Sequence, residues 1–297
     1  MGKVTHTNML LTKSDILEKQ MIKSPMQLHL WEHRSLFLGL IPEVVEFVPA
    51  CAWLLVGLNT PFEISMNDSP RIKTHLALVP AGGEVRYVPE DGILACCFLD
   101  VLSRDYQHLA KRMKPVLDGL YVLDNDLFAA QIINNLRDLY FNPIEPTLVY
   151  EQFVKALDLP SPEPEGQVQE SIAKVVNSVR LSATENLTNG HYAAEAGVSE
   201  EVLARWFRQV TGLTLRRYRN WHRLFLAAWL MQQGVSLTEA AHEVGFSDAA
   251  HFNHVFGEML GLKPSFIQRA MAVTRIYLGG MLAIDGMVMY QAEGNNP

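Results

Sequence analysis

The chain has 297 residues, of which 48% are hydrophobic, and it carries 25 lysines and arginines against 32 aspartates and glutamates, a formal net charge of −7. At about 100–200 residues per domain this length suggests two domains, and the hydrophobic fraction excludes wholesale disorder. The sequence has no continuous apolar run of membrane-spanning length, no signal-peptide pattern and only three cysteines. We therefore expect a cytoplasmic protein with reduced thiols.

Residues 27–102 are predicted to form short β-strands. Apolar segments such as 51–58 and 92–101 are separated by turns rich in Asn, Asp, Pro and Gly, a pattern typical of a small β-barrel or sandwich. Cys96 and Cys97 are adjacent on one predicted strand and would point to opposite faces, which favours buried thiols over a redox pair.

Residues 103–158 change to helical spacing. Asp126 is predicted to cap a helix that runs to Tyr140, and a second helix is predicted over Thr147–Asp158. Each helix has an apolar stripe. The stripes could cover the barrel or form a dimer interface, and the sequence leaves both interpretations open.

The segment Leu159–Gln167 contains three prolines, and we predict an extended spacer with no residue that anchors a core. This places a first domain at residues 1–158, the linker at 159–167, a second domain at 168–270 and a C-terminal extension at 271–297.

The second domain is predicted to be helical, and its sequence repeats. Ala193, Gly197 and Ser199 recur at the same relative spacing as Ala241, Gly245 and Ser247. The glycine permits a left-handed turn, and the serine is predicted to cap the next helix. This is the pattern of a helix-turn-helix unit, whose second helix enters the major groove of DNA.

Two further features support this pattern. Leu203 and Phe207 in the first unit match Phe252 and Phe256 in the second and are predicted to be core residues. Ser236 to Glu239 forms a capping-box pattern at the start of the second unit.

The overall acidity is unevenly distributed. Residues 1–167 hold 14 basic and 21 acidic side chains, whereas residues 168–270 hold 10 basic and 9 acidic ones. Six arginines lie between positions 205 and 223. Alone, such a cluster is usually a solvated helical face, but beside two helix-turn-helix units it favours DNA as a partner.

Residues 168–270 resemble the DNA-binding domain of the AraC/XylS family of bacterial transcription regulators. The matching segments are 199–207, 211–213, 223–230, 240–248, 252–256 and 261–264. The first half resembles, more loosely, the effector-sensing and dimerising barrel of that family. The resemblance implies an α+β protein with an N-terminal degenerate cupin-like β-barrel, appended helices, and an all-α C-terminal domain with two helix-turn-helix units.

The resemblance also implies a set of DNA-contacting residues. The base-facing positions fall on Glu201, Ala204 and Arg205 in the first unit, and on Ala249, Ala250, Asn253 and His254 in the second, with Arg208, Arg216, Arg217 and Arg219 as phosphate contacts. Arg205 suits a bidentate contact to guanine, although a surface pair with Glu201 is the alternative. An arginine is usual in the family where His254 stands, which predicts weaker base reading by the second unit.

The barrel carries no recognisable catalytic or metal-binding pattern. His29, His33, His75 and His108 include no His-x-His pair, so we predict no metal, no cofactor and no enzymatic activity. As effector-contacting residues we suggest Trp31, Arg34, Trp53, Arg86 and Tyr87. Arg34 or Arg86 would suit a carboxylate-bearing effector.

The C-terminal extension departs from the family pattern. Residues 275–290 read as a β-hairpin or apolar flap that packs on the helical domain or adds to the barrel's sheet. We predict a stabilising or gating role for this extension.

The sequence therefore predicts a transcription regulator that binds double-stranded promoter DNA and responds to a small-molecule effector. A homodimer is expected, with RNA polymerase as a partner if the protein activates transcription and no membrane association. The alternative is an interaction protein or co-regulator, derived from such a regulator, that no longer binds DNA. A barrel enzyme fused to a DNA-binding module would need a catalytic set that the sequence does not offer.

Overall fold

The computed structural model describes residues 25–31, 34–99, 102, 104–117, 119–124, 126–160, 167–262, 266, 270, 273–279, 282–284 and 287–289. Its first half is mainly β-structure with three helices, and its second half is mainly helical, so the fold is α+β as predicted.

The strands are β1 (Met26–Trp31), β2 (Ser35–Leu40), β3 (Val45–Phe47), β4 (Trp53–Gly57), β5 (Phe62–Met66), β6 (Ile72–Thr74), β7 (Leu76–Val79), β8 (Val85–Val88), β9 (Ile93–Phe98), β10 (Lys114–Leu117), β11 (Leu120–Val122), β12 (Thr274–Gly279), β13 (Leu282–Ile284) and β14 (Met287–Met289). Eight of them form a sheet in the order β10-β11-β7-β4-β9-β2-β1-β12, and four form a second sheet in the order β3-β8-β5-β6. β13 and β14 pair as a hairpin.

The described helices are α1 (Asp105–Ala110), α2 (Leu127–Phe141), α3 (Pro146–Leu157), α4 (Gln167–Leu181), α5 (Asn189–Glu195), α6 (Glu200–Thr211), α7 (Leu215–Gln232), α8 (Leu237–Glu243) and α9 (Ala249–Leu260).

Both faces of the eight-stranded sheet are buried, each in its own hydrophobic core. Successive side chains of a strand point in opposite directions and so enter different cores. On β4, Trp53 and Leu55 join a core shared with the four-stranded sheet, whereas Leu54 and Val56 join a second core under α2 and α3. The same alternation separates Cys96 from Cys97, and both thiols are free and buried.

Helices α2 and α3 cover the outer face of the large sheet. Ile132, Leu136, Phe153 and Leu157 are buried in the second core. The backbone N–H of Phe128 donates to the Asp126 carboxylate, which confirms the predicted N-cap. The buried members of the two stripes therefore cover the sheet, whereas Leu127 and Leu148 remain exposed.

Two expectations for this half are wrong. The β10–β11 hairpin occupies residues that were expected to be helical. The sequence does not reveal it, because its short exposed edge strand has no alternating pattern of apolar residues.

The first residues of the predicted linker are anchored. Leu159, assigned to a linker without core anchors, is buried against the α3 core, and the carbonyl of Pro160 accepts a hydrogen bond of 2.7 Å from Arg34. The rest of the predicted linker, residues 161–166, lies outside the described residues.

The C-terminal extension adds a strand to the barrel. β12 pairs in parallel with β1 over six registered positions, from Met26 opposite Thr274 to Trp31 opposite Gly279. The Tyr277 ring stacks on His29 with ring centroids 4.7 Å apart. The chain thus returns from the helical domain to the edge of the large sheet.

The barrel interior continues into the helical domain. Trp221 and Phe225 of α7 meet Phe98 of β9 at centroid distances of 5.2 and 5.9 Å, and Trp221 lies 6.0 Å from Trp53. Aromatic contacts of this kind add to the free energy gained from burying the rings. One hydrophobic core therefore spans both halves.

Candidate DNA-binding surface and effector cavity

The first helix-turn-helix unit consists of α5 and α6. Gly197 has a φ of +68°, the left-handed conformation that a tight turn requires. The Ser199 hydroxyl accepts a hydrogen bond from the backbone N–H of Val202 and so caps α6, as predicted. Leu203 and Phe207 are fully buried, which fixes one face of α6 against the domain core.

The second unit, α8 and α9, repeats this arrangement with one difference. The predicted capping box is present, with reciprocal hydrogen bonds between Ser236 and Glu239. Gly245 has a φ of +87° at the turn. The N-cap of α9, however, is Asp248 and not Ser247, because the extra residue in this unit moves the helix start along by one position. The Asp248 carboxylate accepts a hydrogen bond from the backbone N–H of His251, which lowers the pKa of Asp248.

The outer face of α6 is exposed. Glu201, Ala204, Arg205 and Arg208 all reach solvent, opposite the buried Leu203. Among the residues that the structure describes, no ion pair joins Arg205 to Glu201, so the Arg205 guanidinium is available to a ligand.

The corresponding face of α9 is less open. Ala250 and His254 are exposed, whereas Ala249 and Asn253 are half-buried. The side-chain oxygen of Asn253 is buried and has no hydrogen-bond partner among the described residues. The two units thus present faces of different chemistry, one basic and one nearly neutral.

The arginines of α7 fall into different environments. Arg216 is exposed. Arg217 is paired with Glu258 of α9 and also donates to the carbonyl of Val48 in the barrel. Arg219 donates to the carbonyl of Leu187 at 2.7 Å, which leaves part of its guanidinium facing outward.

Arg223 has a structural role. Its guanidinium donates to the carbonyls of Ala183, Glu185 and Gly245 and to the side chain of Asn186, at 2.6 to 3.0 Å. Burial, together with nearby Arg219, lowers the pKa of Arg223 to about 10, so the side chain is charged at neutral pH. It fixes the turn of the second unit to the segment that follows α4.

An apolar cavity of about 110 Å³ lies where the barrel meets the helical domain. The barrel contributes Phe47, Trp53, Tyr87 and Cys96, and α7 contributes Leu224 and Phe225. Further lining comes from Phe256 of α9 and Thr274 of β12. A ligand in this cavity would touch both domains and the C-terminal strand at once.

Residues 192–270 match a protein family model described as a helix-turn-helix domain. The C-terminal domain is an AraC-type helix-turn-helix domain. The transcriptional activator RhaR of Enterobacter sp. strain 638 is 28% identical over 155 residues, which is 52% of this chain and 52% of RhaR. RhaR of Escherichia coli O1:K1 is 31% identical over 93 residues, 31% of this chain and 33% of its own. The chain spans about half the length, or less, of the curated relatives it matches.

Solved structures of similar fold include ToxT from Vibrio cholerae with an unsaturated fatty acid bound. It is 12% identical, with a TM-score of 0.51, over 82% of this chain and 96% of ToxT. This likeness concerns the fold alone, in which an N-terminal β-domain precedes a helical domain.

The structure brings together only part of the suggested effector set. Trp53 and Tyr87 line the cavity at the AraC-type domain. Trp31 packs on the outer side of the sheet against Phe153. Arg34 is buried in an ion pair with Asp105 at 2.7 Å, and Arg86 lies outside the barrel beside Glu46.

Sequence reasoning missed the cavity residues that the AraC-type domain supplies. Phe256 was predicted only as a core residue of its helix, Leu224 lay within a segment that carries the family resemblance, and Phe225 was not singled out. Their apolar character gave the one available signal, and nothing local in the sequence shows that the barrel is their neighbour.

The part of the chain that the structure describes contains neither a cluster of metal ligands nor a membrane-spanning helix. No group of three or more His, Cys, Asp or Glu side chains in this part of the chain could hold a metal ion. No helix in it is long and apolar enough to cross a membrane.

Proposed function

We propose that this protein is a transcription regulator that binds promoter DNA through both helix-turn-helix units and responds to a small molecule held in the cavity between its domains. The observation that carries the proposal is the duplicated unit, in which each second helix is capped at its start, buried on one face and accessible on the other.

The exposed face of α6 supplies the chemistry for base reading. Arg205 can donate two parallel hydrogen bonds to guanine, and Glu201 can accept one from cytosine. Arg208 and Arg216 are exposed and suit phosphate contacts, which set the position of the protein on the duplex. In α9 we propose a positioning role for Ala249, Ala250, Asn253 and His254, with little base discrimination.

The position of the cavity couples ligand binding to the arrangement of the DNA-binding domain. Its wall is shared between the barrel, α7 and α9, so a bound molecule favours the arrangement in which these parts are docked. ToxT, of similar fold, has been solved with a small molecule bound. Trp53 and Tyr87 are the effector contacts that we retain in this proposal.

The remaining parts of the proposal concern assembly and location. We propose domain limits at residues 158, 168 and 270, a homodimer in the cytoplasm, no enzymatic activity, and RNA polymerase as the partner if the protein activates transcription.

Selection of genomic DNA fragments by the full chain, at low and at moderate salt, tests this function. We expect a small set of fragments to be enriched, with affinity falling as salt rises. Arg205→Ala should lose the preference among fragments, whereas Arg71→Ala, an exposed barrel arginine, should keep it. A folded chain that enriches no fragment at low salt would contradict DNA binding and favour a co-regulator.

A further inference from the structure

The residues that line the interdomain cavity are almost all apolar. Of its described lining residues, none is an Asp, Glu, Lys, Arg or His, and the polar groups are limited to those of Trp53, Tyr87, Cys96 and Thr274. The Thr274 hydroxyl already donates to the carbonyl of Ala270 at 2.7 Å. Burial raises the pKa of the Tyr87 phenol and of the Cys96 thiol, so both groups are neutral at physiological pH.

Such a wall cannot compensate a charged ligand. An ionised carboxylate transferred from water into an apolar cavity loses its hydration, and the loss is large unless a cation or several donors replace it. The two arginines that the sequence suggested for this role lie elsewhere. Arg34 donates to both oxygens of Asp105 and to Tyr150, and Arg86 is at the surface beside Glu46.

The polar atoms of the lining residues do not face the cavity. Its surface is almost wholly apolar, and the indole Nε1–H of Trp53 is buried away from it, with no hydrogen-bond partner among the described residues. A ligand in the cavity therefore meets an apolar surface that offers it no hydrogen bond.

The size of the cavity limits the ligand further. Its volume is about 110 Å³. A cavity of about 150 Å³ lined by similar side chains takes up benzene, so this one suits a compact molecule of about one ring. The aromatic wall, formed by Phe47, Trp53, Phe98 and Phe225 among others, favours a planar ring.

We propose that the effector is a neutral, compact hydrophobic molecule of the size of one aromatic ring. This inference rests on the proposed function, because it assigns the ligand class of the same cavity. It replaces the carboxylate-bearing effector that the sequence suggested.

Calorimetric titration of the full chain with three probes tests the ligand class. Acetophenone carries a ring and a carbonyl acceptor, ethylbenzene lacks the acceptor, and benzoate carries a charge. We expect ethylbenzene to bind at least as tightly as acetophenone, because the cavity offers no donor to the carbonyl, and benzoate not to bind in the same concentration range. Benzoate binding as tightly as acetophenone, or no saturable binding of either neutral probe, would overturn the proposal.

Two variants locate the binding. Each of them fills the cavity from a different side. Ala228→Leu, which fills the cavity from α7, should abolish binding of both neutral probes. If that variant does not fold, Cys96→Met fills the cavity from the barrel side with the same expected result. Unchanged probe binding in a folded, filled variant would place the probes elsewhere and contradict the assignment.

The DNA selection described above separates this inference from the function on which it rests. A chain that selects DNA but binds neither neutral probe loses the ligand class alone. A chain that binds the neutral probes in this cavity but selects no DNA keeps the ligand class and loses the regulator function.

Discussion

Arg217 of the AraC-type domain donates a hydrogen bond to the backbone carbonyl of Val48 in the barrel. The backbone N–H of Val48 in turn donates to the carbonyl of Glu258 at 3.0 Å, and the Glu258 carboxylate pairs with Arg217. These three residues therefore form a small latch that joins the residue after β3 to α7 and α9. One of the arginines proposed to contact phosphate is held by this latch in the docked arrangement.

The latch predicts that Glu258→Gln strengthens DNA binding. The substitution removes the ion pair that holds Arg217 and also removes a negative charge, so we expect a higher affinity and a steeper salt dependence. The pair is partly exposed, with Glu258 44% accessible, so the loss of folding stability should be below about 1 kcal/mol. Fluorescence anisotropy at two salt concentrations measures the affinity.

Glu63→Gln is the matched control for charge, because Glu63 forms an exposed pair with Arg71 on the barrel. Equal DNA affinity in the two variants would mean that the latch does not compete with DNA.

The glycine that ends α9 marks a close approach between the domains. Gly261 has a φ of +69°, and a Cβ there would lie 2.8 Å from the carbonyl oxygen of Glu46. Gly197 has nearly the same φ, +68°, but open space around the added carbon. We expect Gly261→Ala to lower the free energy of unfolding by at least about 1 kcal/mol more than Gly197→Ala.

Urea unfolding of the two glycine variants measures this difference, since both share the cost of a left-handed alanine. If Gly261→Ala lowers the free energy of unfolding no more than Gly197→Ala does, the barrel backbone is not in close contact with Gly261 in solution.

His29 predicts a pH dependence of stability. Burial lowers the pKa of His29 from 6.5 to about 4, so the unfolded chain binds a proton at a higher pH than the folded chain does. The contribution of neutral His29 is therefore complete above pH 6.5 and is lost as the pH falls toward 4. The loss is on the order of 3 kcal/mol.

His29→Phe keeps an aromatic ring next to Tyr277 and removes the titration. Thermal unfolding at pH 7 and pH 5 should show a smaller drop for this variant than for the natural chain. A drop of the same size would assign the pH dependence to other groups.

The C-terminal strand predicts that removal of residues 272–297 destabilises the protein. The truncation uncovers the edge of β1 along six paired positions and removes Thr274 from the cavity wall. We expect a lower melting temperature and weaker binding of acetophenone. An unchanged melting temperature together with unchanged DNA affinity would dismiss a stabilising or gating role.

The helix-turn-helix units could be predicted from the sequence because their determinants are local. Gly197 and Gly245 occupy turns that need a positive φ. The side chains of Ser236 and Glu239 each accept a hydrogen bond from the other residue's backbone N–H at the start of α8. The buried residues of each second helix recur four positions apart. The N-cap of α9 was misassigned by one position because Ser247 and Asp248 are both good capping residues.

The cavity and the latch could not be predicted in the same way. Val48 and Arg217 are 169 positions apart, and no pattern in either segment identifies the other as its partner. The same holds for Arg34, whose partner Asp105 lies 71 positions away. The sequence of the barrel does not distinguish an arginine that binds a ligand from one that is paired with a carboxylate.

Hydroxyl-radical footprinting of the full chain on a selected fragment tests the central claim most directly, because both helix-turn-helix units should contact DNA. We predict two protected stretches on one face of the duplex, about one helical turn or 10 base pairs apart. Arg205→Ala should weaken protection in one stretch more than in the other. A single protected stretch, or none on a fragment that the folded chain retains, would contradict the account.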